Sequence, residues 1–423
     1  MTVGSGAPRR TARRETTEAP DGGAPLSRGL LVLMAAATGL SVANNYFAQP
    51  LLDLLGRELR LSTTMAGMIV TAAQVGYGMG LLLLVPLADL VERRRFTVLL
   101  YAATAAFLLI SATAPNGALL LVGTVLTAFT SVGAQVVVPY AVTLAAPGKR
   151  GRVIGTVTSG LLLGTVLSRT VSGGLAELGG WRTVYWVSAV LVAGVTVLLW
   201  RFLPPLHTPI GLSYPALLRS TFALFRHEPV LRWRAGIAAL SLASFNVLWT
   251  AVTFLFAGPS YGWSEAAIGL FGLVGAVGTV GATMTGRLAD RGYVQWVTGV
   301  GTAAFAASWW LIGAGESSLG WLLGGAIVLN LAHRAVLNSN QNVIYALSPE
   351  IRNRLNSALM TAFFAGGAAG SALAAVVWVH GGWTAVSVLG GSLACGTFVL
   401  WVIERTRVSR PSGQDAVRAI SGG

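Results

Sequence analysis

The sequence predicts an all-α membrane protein in which twelve transmembrane helices form two pseudo-symmetric six-helix bundles. Hydrophobic residues make up 54% of the 423-residue chain and charged residues only 10%, whereas about 25% of a soluble domain is charged. Apolar stretches of about 20 residues, the length that spans a bilayer, recur along the chain. Landmarks of the first half also return in the second half at an offset of about 202 residues, as in a duplicated bundle.

The apolar stretches give the positions of the spans and, from them, the domain boundaries. Windows with few or no charges place spans at 29–50, 64–85, 96–114, 117–140, 153–175, 183–203, 235–257, 265–286, 294–313, 319–347, 355–378 and 384–403. The predicted organisation is a disordered cytoplasmic tail (1–27), an N-terminal six-helix bundle (28–203), a cytoplasmic linker (204–234), a C-terminal six-helix bundle (235–404) and a cytoplasmic tail (405–423). Tyr214 to Phe225 alternates apolar and basic residues, which predicts a short linker helix lying on the inner leaflet.

The repeated landmarks lie at the edges or on the polar faces of the apolar spans. Equivalent helices of the two halves are therefore expected to have equivalent roles. The pairs are Gly179-Gly180-Trp181 with Gly381-Gly382-Trp383, Arg150-x-Arg152 with Arg352-x-Arg354, Pro147 with Pro349, Asn44 with Asn246, and Asp89 with Asp290.

The basic residues predict the orientation. Of the 29 Lys and Arg residues, only Arg57, Arg60 and Arg182 fall in outward loops if both termini are cytoplasmic, and Arg169 and Arg334 fall within spans. Positive charge concentrates on the cytoplasmic side of membrane proteins, so this orientation is predicted in the cytoplasmic membrane. The net charge of +14 then reflects loops beside the anionic lipid bilayer, and no nucleic-acid partner is expected.

The residue types argue against an enzyme. The histidines, His207, His227, His333 and His380, fall in different segments, and Cys395 is the sole cysteine, so no metal-ligand cluster or nucleophile with its base is predicted. A nucleotide-binding loop of the Gly-x-x-x-x-Gly-Lys type is also missing from the sequence. We expect a monomer that uses no metal or other cofactor and acts on a small-molecule substrate. A receptor that binds a ligand without moving it is the non-transport alternative.

Two copies of a charged loop follow the second and eighth spans. They read Pro86-Leu-Ala-Asp89-Leu-Val-Glu-Arg93-Arg94-Arg95 and Gly286-Arg-Leu-Ala-Asp290-Arg291-Gly292. Both resemble the loop motif of the major facilitator superfamily, and the resemblance extends over residues 28–405. The runs Asn45-Tyr-Phe-Ala-Gln-Pro-Leu-Leu52 and Leu167-Ser-Arg-Thr-Val-Ser-Gly173 resemble bacterial permeases of the efflux subgroup. The resemblance implies the facilitator fold, a location in the bacterial cytoplasmic membrane, and two bundles that alternate access to a central cavity.

The loop motif implies a conformational latch formed by Asp89, Arg93, Arg94, Asp290 and Arg291. A carboxylate beside a helix N-terminus of the opposite half gains from the helix dipole, and its loss would shift the balance between the two access states. The alternative is a tight loop with solvated charges. This sequence departs from the motif at Val85, Leu90 and Glu92, which stand in place of its first glycine, its arginine and its second glycine, so the latch must differ in detail.

Glycines and polar residues distinguish the helices expected at the contact between the two halves from those expected to line the central cavity. Glycines are dense in spans 2, 5, 8 and 11, and the resemblance implies that spans 2 and 11, and 5 and 8, contact each other across the halves. Polar residues concentrate in spans 1, 4, 7 and 10, which line the cavity in the family. The candidate substrate-binding residues are Asn44, Asn45, Gln135, Asn246, Trp249, Asn330, Arg334, Asn338 and Gln341. The alternative is that these residues form interhelical hydrogen bonds.

The two arginines within spans bear on the substrate and the coupling. Arg334 lies near mid-membrane, and no aspartate or glutamate lies well inside any predicted span, so an incoming anion is a candidate partner. Arg169 replaces a glycine of the Gly-Pro-x-x-Gly-Gly motif of proton-coupled drug exporters, which weakens the case for drug antiport. His333 titrates near neutral pH in water, and His333 and Arg169 are the candidate coupling residues.

The sequence therefore predicts a secondary active transporter that exports a small organic molecule, a drug or a metabolite, with proton coupling as an option. The alternative is uptake or exchange of an organic anion, which the two arginines favour.

Overall fold

The computed structural model describes residues 27–88, 90–206, 213–347 and 351–408, and this part of the chain is helical, with no β-strand. Its α-helices, numbered α1 to α15 in chain order, are Arg28–Ala43, Leu52–Glu58, Thr63–Leu87, Arg93–Ala112, Gly117–Thr130, Gly133–Leu144, Arg150–Gly179, Trp181–Phe202, Tyr214–His227, Pro229–Ala257, Glu265–Phe271, Val277–Asp290, Val294–Gly313, Leu319–Leu347 and Arg352–Val408. The all-α fold predicted from the sequence is thereby confirmed.

The helix lengths fit the predicted spans. Within the described residues, nine helical segments are long and apolar enough to cross a membrane. The longest, α15, is kinked at Gly381 and Gly382 and so holds two spans. The first and eighth spans are represented by the shorter apolar helices Arg28–Ala43 and Glu265–Ala276. The architecture is consistent with twelve spans.

Three spans that the sequence predicted as continuous are interrupted. The first span stops at Ala43 and resumes in a 3-10 turn, Gln49–Leu51, that leads into α2. The fourth span consists of α5 and α6, which meet at Ser131 and Val132. The eighth contains a 3-10 segment, Gly272–Ala276, between α11 and α12. Hydropathy reports apolar composition and is blind to such breaks in backbone hydrogen bonding.

The repeated Gly-Gly-Trp landmark forms the same turn in each half. Gly180 has a φ of 76° and Gly382 a φ of 56°, a left-handed conformation that favours glycine. The tryptophans that follow are buried: Trp181 donates its indole N–H to Glu58 Oε2 at 2.9 Å, and Trp383 donates to the Ile312 carbonyl at 2.9 Å. Equivalent turns with equivalent buried anchors support the duplication.

The two halves meet along the predicted helix pairs. Helix α3 packs against α15, and α7 packs against α11. Gly67 of α3 packs so closely against Ala375 that a Cβ on the glycine would clash with it. Gly173 of α7 lies directly against the backbone of Glu265. The predicted contacts between spans 2 and 11 and between spans 5 and 8 are confirmed.

The linker contains the predicted helix, observed as α9, which touches both halves. Its Tyr214 hydroxyl donates to the Leu83 carbonyl at 2.9 Å, and the helix also packs against α10 and α15. Below, the end of the molecule that carries α9 is called the linker end.

The seventh span begins earlier than the sequence predicted. Helix α10 starts at Pro229, so Arg234 belongs to the bundle rather than to the linker. Arg234 has no exposed surface, and its Nε donates to Glu404 Oε1 at 2.7 Å. Hydropathy assigned this charge to a loop because a sequence window does not show its partner 170 residues away.

Candidate functional site

A cavity of about 590 Å³ lies between the two halves, a volume suited to a small molecule. Its lining extends to Arg93, Arg354 and the α9 residue Leu217 at the linker end. Most of the candidate binding and coupling residues line it. They are Asn45, Gln135, Arg169, Asn330, His333, Arg334, Asn338 and Gln341.

The break in the first span places Asn45 and Tyr46 on the cavity wall. The Asn45 amide donates to the Val42 carbonyl at 3.2 Å, and the Tyr46 amide donates to the Ala43 carbonyl at 2.9 Å, which tightens the chain into a turn. Non-helical backbone at membrane depth is tolerated only where it is buried in protein or lines a cavity. The interruption therefore coincides with the wall of this cavity.

Arg169 lies at this turn and is held by neutral groups. Its Nε donates to Gln49 Oε1 at 2.6 Å. The guanidinium carbon is 4.7 Å from the Tyr46 ring centroid and 4.1 Å from that of Trp249. The side chain is 4% exposed and forms no ion pair with any carboxylate in the described ranges. Its positive charge is positioned but not neutralised.

Arg334 brings a second positive charge to the same cavity from α14. It forms neither an ion pair nor a hydrogen bond with any residue that the structure describes, and it lines the cavity together with Arg169. None of the cavity-lining residues in the described part of the chain is an aspartate or glutamate. Two like charges within the bundle that lack a local acid are stabilised by an anion between or beside them.

The amide groups near Arg334 follow the helix face predicted from the sequence. Asn330, Asn338 and Gln341 all line the cavity from α14. Asn338 Nδ2 also donates to Thr285 Oγ1 at 3.1 Å, and Asn330 Nδ2 donates to the Ala326 carbonyl at 2.8 Å. An amide has both hydrogen-bond donors and acceptors, so side chains of this type can bind polar groups of either kind.

His333 is enclosed by aromatic rings. Its ring stacks on Phe245, with centroids 4.3 Å apart and planes at 20°, and on Phe363, with centroids 5.8 Å apart and planes at 19°. Phe305 lies 5.9 Å away. The Nδ1 atom is buried and has no hydrogen-bond partner among the described residues.

Three candidate binding residues do not line the cavity. Asn44 forms two hydrogen bonds within the first half. Its Nδ2 donates to Ser131 Oγ at 3.2 Å, and its Oδ1 accepts from Ser188 Oγ at 2.9 Å. Asn246 donates to the Gly367 carbonyl at 3.1 Å within the second half. These are the interhelical hydrogen bonds that the sequence left open as the alternative role. Trp249 is buried beneath Arg169 and supports the site indirectly.

The loop residues assigned to a latch are described only in part. Asp89 lies outside the described residues, and of Asp290 the structure gives the backbone, at the end of α12. Arg94 Nη2 donates to the Trp200 carbonyl at 2.5 Å, and Arg93 Nη1 donates to Thr143 Oγ1 at 3.4 Å, both within the first half. Arg291 is exposed. The latch stays a prediction.

Glu92, one of the departures from the loop motif, caps α4. Its carboxylate accepts the backbone N–H groups of Arg94 and Arg95, each at 2.8 Å, and of Leu206 at 3.1 Å. Partial burial works to raise the pKa of Glu92, but these N–H donors and the Arg95 charge outweigh it, so the pKa lies below its ordinary value of 4.5. The acid fastens the start of the linker to the first half.

At the end opposite the linker, polar contacts join the halves. Arg57 Nη2 lies 2.8 Å from Glu265 Oε1, and Ser264 Oγ donates to Glu177 Oε2 at 3.1 Å. Thr253 Oγ1 donates to the Gln49 carbonyl at 2.8 Å. The ion pair was not predicted from the sequence, because single charges in short loops carry no spacing signal. We call this end the closed end.

Metal ligands do not cluster in the described ranges, where no group of three or more His, Cys, Asp or Glu residues is placed to hold a metal ion.

Known proteins resemble this chain over most of its length. The pattern of the Major Facilitator Superfamily matches residues 34–319. The chain is 48% identical over 376 residues to a putative uncharacterized transporter, YgaY, of Escherichia coli strain K12, covering 89% of this chain and 95% of that one. It is 34% identical over 384 residues to a probable transporter, SCO4007, of Streptomyces coelicolor, covering 90% of this chain and 88% of the relative.

Solved structures share the fold at low sequence identity. A bacterial homolog of the human lysosomal transporter Spinster, in an inward-facing and unoccupied conformation, has a TM-score of 0.69 at 18% identity, covering 90% of this chain and 96% of that chain. The human organic anion transporter MFSD10 has a TM-score of 0.65 at 19% identity, covering 89% of this chain and 100% of the other. At these identities the likeness concerns the fold alone.

Proposed function

Because the chain belongs to the major facilitator superfamily, we propose that it is a secondary active transporter that exports a small organic anion by alternating access. The proposed location is the bacterial cytoplasmic membrane, with both termini cytoplasmic, as the distribution of basic residues predicts. The substrate is proposed to bind in the cavity between the two bundles. We propose export because the chain resembles efflux permeases, and we propose an anion because of the charged residues that line the cavity.

One observation carries the choice of an anion. Arg169 and Arg334 line the same cavity, and no carboxylate from the described ranges does. An arginine at the centre of a membrane helix costs about 2.5–3.5 kcal/mol on insertion scales, and here two such charges also repel. A bound anion offsets that cost, whereas a cationic substrate would increase it.

The mouth of the cavity is also positively charged. Arg93 and Arg354 belong to its lining at the linker end, so all four charged residues in the described lining are arginines. A cleft lined by one sign of charge raises the local concentration of the opposite ion and its rate of entry. Anions are therefore favoured both at entry and at the binding site.

The test compares substrates of different charge on the same protein. The purified protein would be reconstituted in proteoliposomes, and counterflow of a panel of organic anions, neutral amides and organic cations would be measured. Arg334→Ala should weaken anion binding roughly ten- to hundredfold, the value of one charge-assisted hydrogen bond. Arg182→Ala is the matched control, because Arg182 is partly exposed near the closed end and does not line the cavity. Equal transport of anions by the Arg334 variant would refute the anion site.

Direction and coupling form separate arms of that test. Export predicts uptake into inside-out vesicles and little into right-side-out vesicles; the reverse would establish uptake. If protons drive transport through His333, an imposed pH gradient should accelerate wild-type flux but not the flux of His333→Gln. A gradient dependence that survives this substitution would remove His333 from the coupling step and leave Arg169 as the candidate.

A further inference from the structure

The cavity has an aromatic wall formed by both halves of the molecule. Tyr77 and Phe364 face each other with centroids 4.6 Å apart, and Phe364 meets Phe363 edge to face at 5.3 Å and 90°. Phe363 stacks on His333, which stacks on Phe245. All five side chains line the cavity. We call this continuous row, Tyr77, Phe364, Phe363, His333 and Phe245, the ring wall.

Parts of the ring wall remain accessible from the cavity. Tyr77, His333 and Phe363 are 4%, 4% and 6% exposed, so the row is packed from behind. Phe245 and Phe364 are only half-buried, and both line the cavity. Their uncovered surface is available to a ligand.

The ring wall leads to the positive charges. Phe245 lies 6.0 Å from Trp249, and Trp249 lies 4.1 Å beneath the Arg169 guanidinium. His333 is next to Arg334 in the chain, and both line the cavity. One side of the cavity is therefore cationic and the adjoining side is aromatic.

We propose that the transported anion is an aromatic acid, whose carboxylate or equivalent acidic group binds Arg169 and Arg334 and whose ring lies against Phe245 and Phe364. The inference rests on the proposed anion transport and narrows it to a substrate class. Aromatic rings prefer offset or edge-to-face contact with other rings, which adds to the gain from apolar burial alone. A saturated acid of equal size receives only the burial term.

An aromatic acid in this cavity would also contact both halves of the molecule. Phe364 and Tyr77 belong to different halves and touch in this conformation, so a ring that lies against Phe364 sits at a contact between the two bundles. The acidic group does the same through Arg169 of α7 and Arg334 of α14. An aromatic acid therefore bridges the halves at two places, and a smaller inorganic anion bridges them at one.

Three two-ring compounds isolate the ring and the charge: 2-naphthoate, its saturated counterpart decahydro-2-naphthoate, and the neutral 2-naphthamide. Their affinities for the purified full-length protein would be measured by calorimetry. We expect naphthoate to bind roughly three- to tenfold more tightly than the saturated acid, and the amide to bind most weakly. Equal or tighter binding of the saturated acid would overturn the aromatic inference while leaving the anion site intact.

The amide separates this inference from the proposed function. Binding of 2-naphthamide as tight as that of naphthoate would overturn the anion site, whatever the ring contributes. Failure of both acids to bind the folded protein would overturn both proposals.

A variant pair locates the preference in the ring wall. Phe245→Leu combined with Phe364→Leu keeps both side chains apolar but removes the two half-buried rings. The ratio of naphthoate affinity to saturated-acid affinity should therefore fall toward one while the saturated acid still binds. Phe202→Leu is the control, since Phe202 is 56% exposed at the end of α8 and is absent from the cavity lining. An unchanged ratio in the double variant would refute the assignment to Phe245 and Phe364.

Discussion

The Arg169 guanidinium lies 4.1 Å from the Trp249 ring centroid, so a cation of the first half rests on an aromatic ring of the second half. The same side chain is bonded to Gln49, whose carbonyl accepts a hydrogen bond from Thr253 of the second half. Arg169 thus belongs to the cavity wall and to the contact between the bundles. Motion that separates the bundles at the closed end must break this contact.

Arg169→Lys should loosen the closed end, because an ammonium keeps the charge but loses the planar stacking of a guanidinium. The expected loss is about 0.5–2 kcal/mol. A cysteine at Ala48, which is 9% exposed, in a Cys395→Ala background should then react several-fold faster with a membrane-impermeant maleimide. Arg182→Lys is the control, since Arg182 stacks on Trp181 at 4.2 Å within one half. Identical labelling of both variants would contradict the role of Arg169.

The ion pair between Arg57 and Glu265 should contribute little to closure. Its side chains are 65% and 20% exposed, and exposed pairs are worth about 0.2–1 kcal/mol. Glu265→Gln should raise Ala48→Cys labelling by less than about fivefold, and high salt should abolish the difference. Asp53→Asn removes only the partner of Arg57 in the same half, 2.9 Å away, and should leave labelling unchanged. A larger, salt-resistant effect of Glu265→Gln would assign closure to this pair.

Glu404→Gln should destabilise the second half strongly. Arg234 is fully buried, and removing one partner of a buried pair costs about 3–5 kcal/mol because the other charge is left uncompensated. The double variant Arg234→Met with Glu404→Leu should recover most of the thermal stability in detergent. If the double variant is no more stable than Glu404→Gln, the remaining network through Asn340 and Thr298, rather than the charge, holds this region.

Glu92 should give the stability of the first half a dependence on acidic pH. Its pKa is lower in the folded protein than the ordinary 4.5, so its stabilising effect is complete above that value and is lost as pH falls through the folded pKa. Glu92→Gln should therefore lower thermal stability at neutral pH, by about 0.5–2 kcal/mol as for the loss of a helix cap. The gap between variant and wild type should narrow below about pH 4.5. A gap that is independent of pH would show that the carboxylate charge is not what caps α4.

Some features of the site could be read from the sequence because they contradict their surroundings. Asn330, Arg334, Asn338 and Gln341 are polar residues in an apolar span, spaced by three or four, and a helix with that spacing must place them on one face. The structure shows that this face lines the cavity. The Gly-Gly-Trp turns could be predicted for a different reason, because the same three residues recur in the second half.

Other features depend on contacts that a sequence window does not contain. Polarity alone did not tell whether Asn44 faces the cavity or Ser131 and Ser188, and the structure shows the latter. Arg234 looked like a loop charge because its partner, Glu404, follows 170 residues later. The ring wall was missed because Phe245, Phe363 and Phe364 are ordinary residues for a membrane helix, and only their mutual contacts distinguish them.

That separation of Arg234 from Glu404 also constrains how the protein is made. A ribosome adds about 5–20 residues per second, so roughly 10–30 s pass between the synthesis of the two residues. During that interval helix α10 carries an arginine whose acid has not yet been synthesised, and burying it alone would be costly. The start of this helix should therefore wait at the membrane surface until the end of α15 emerges, which makes the assembly of the second bundle a late event in biosynthesis.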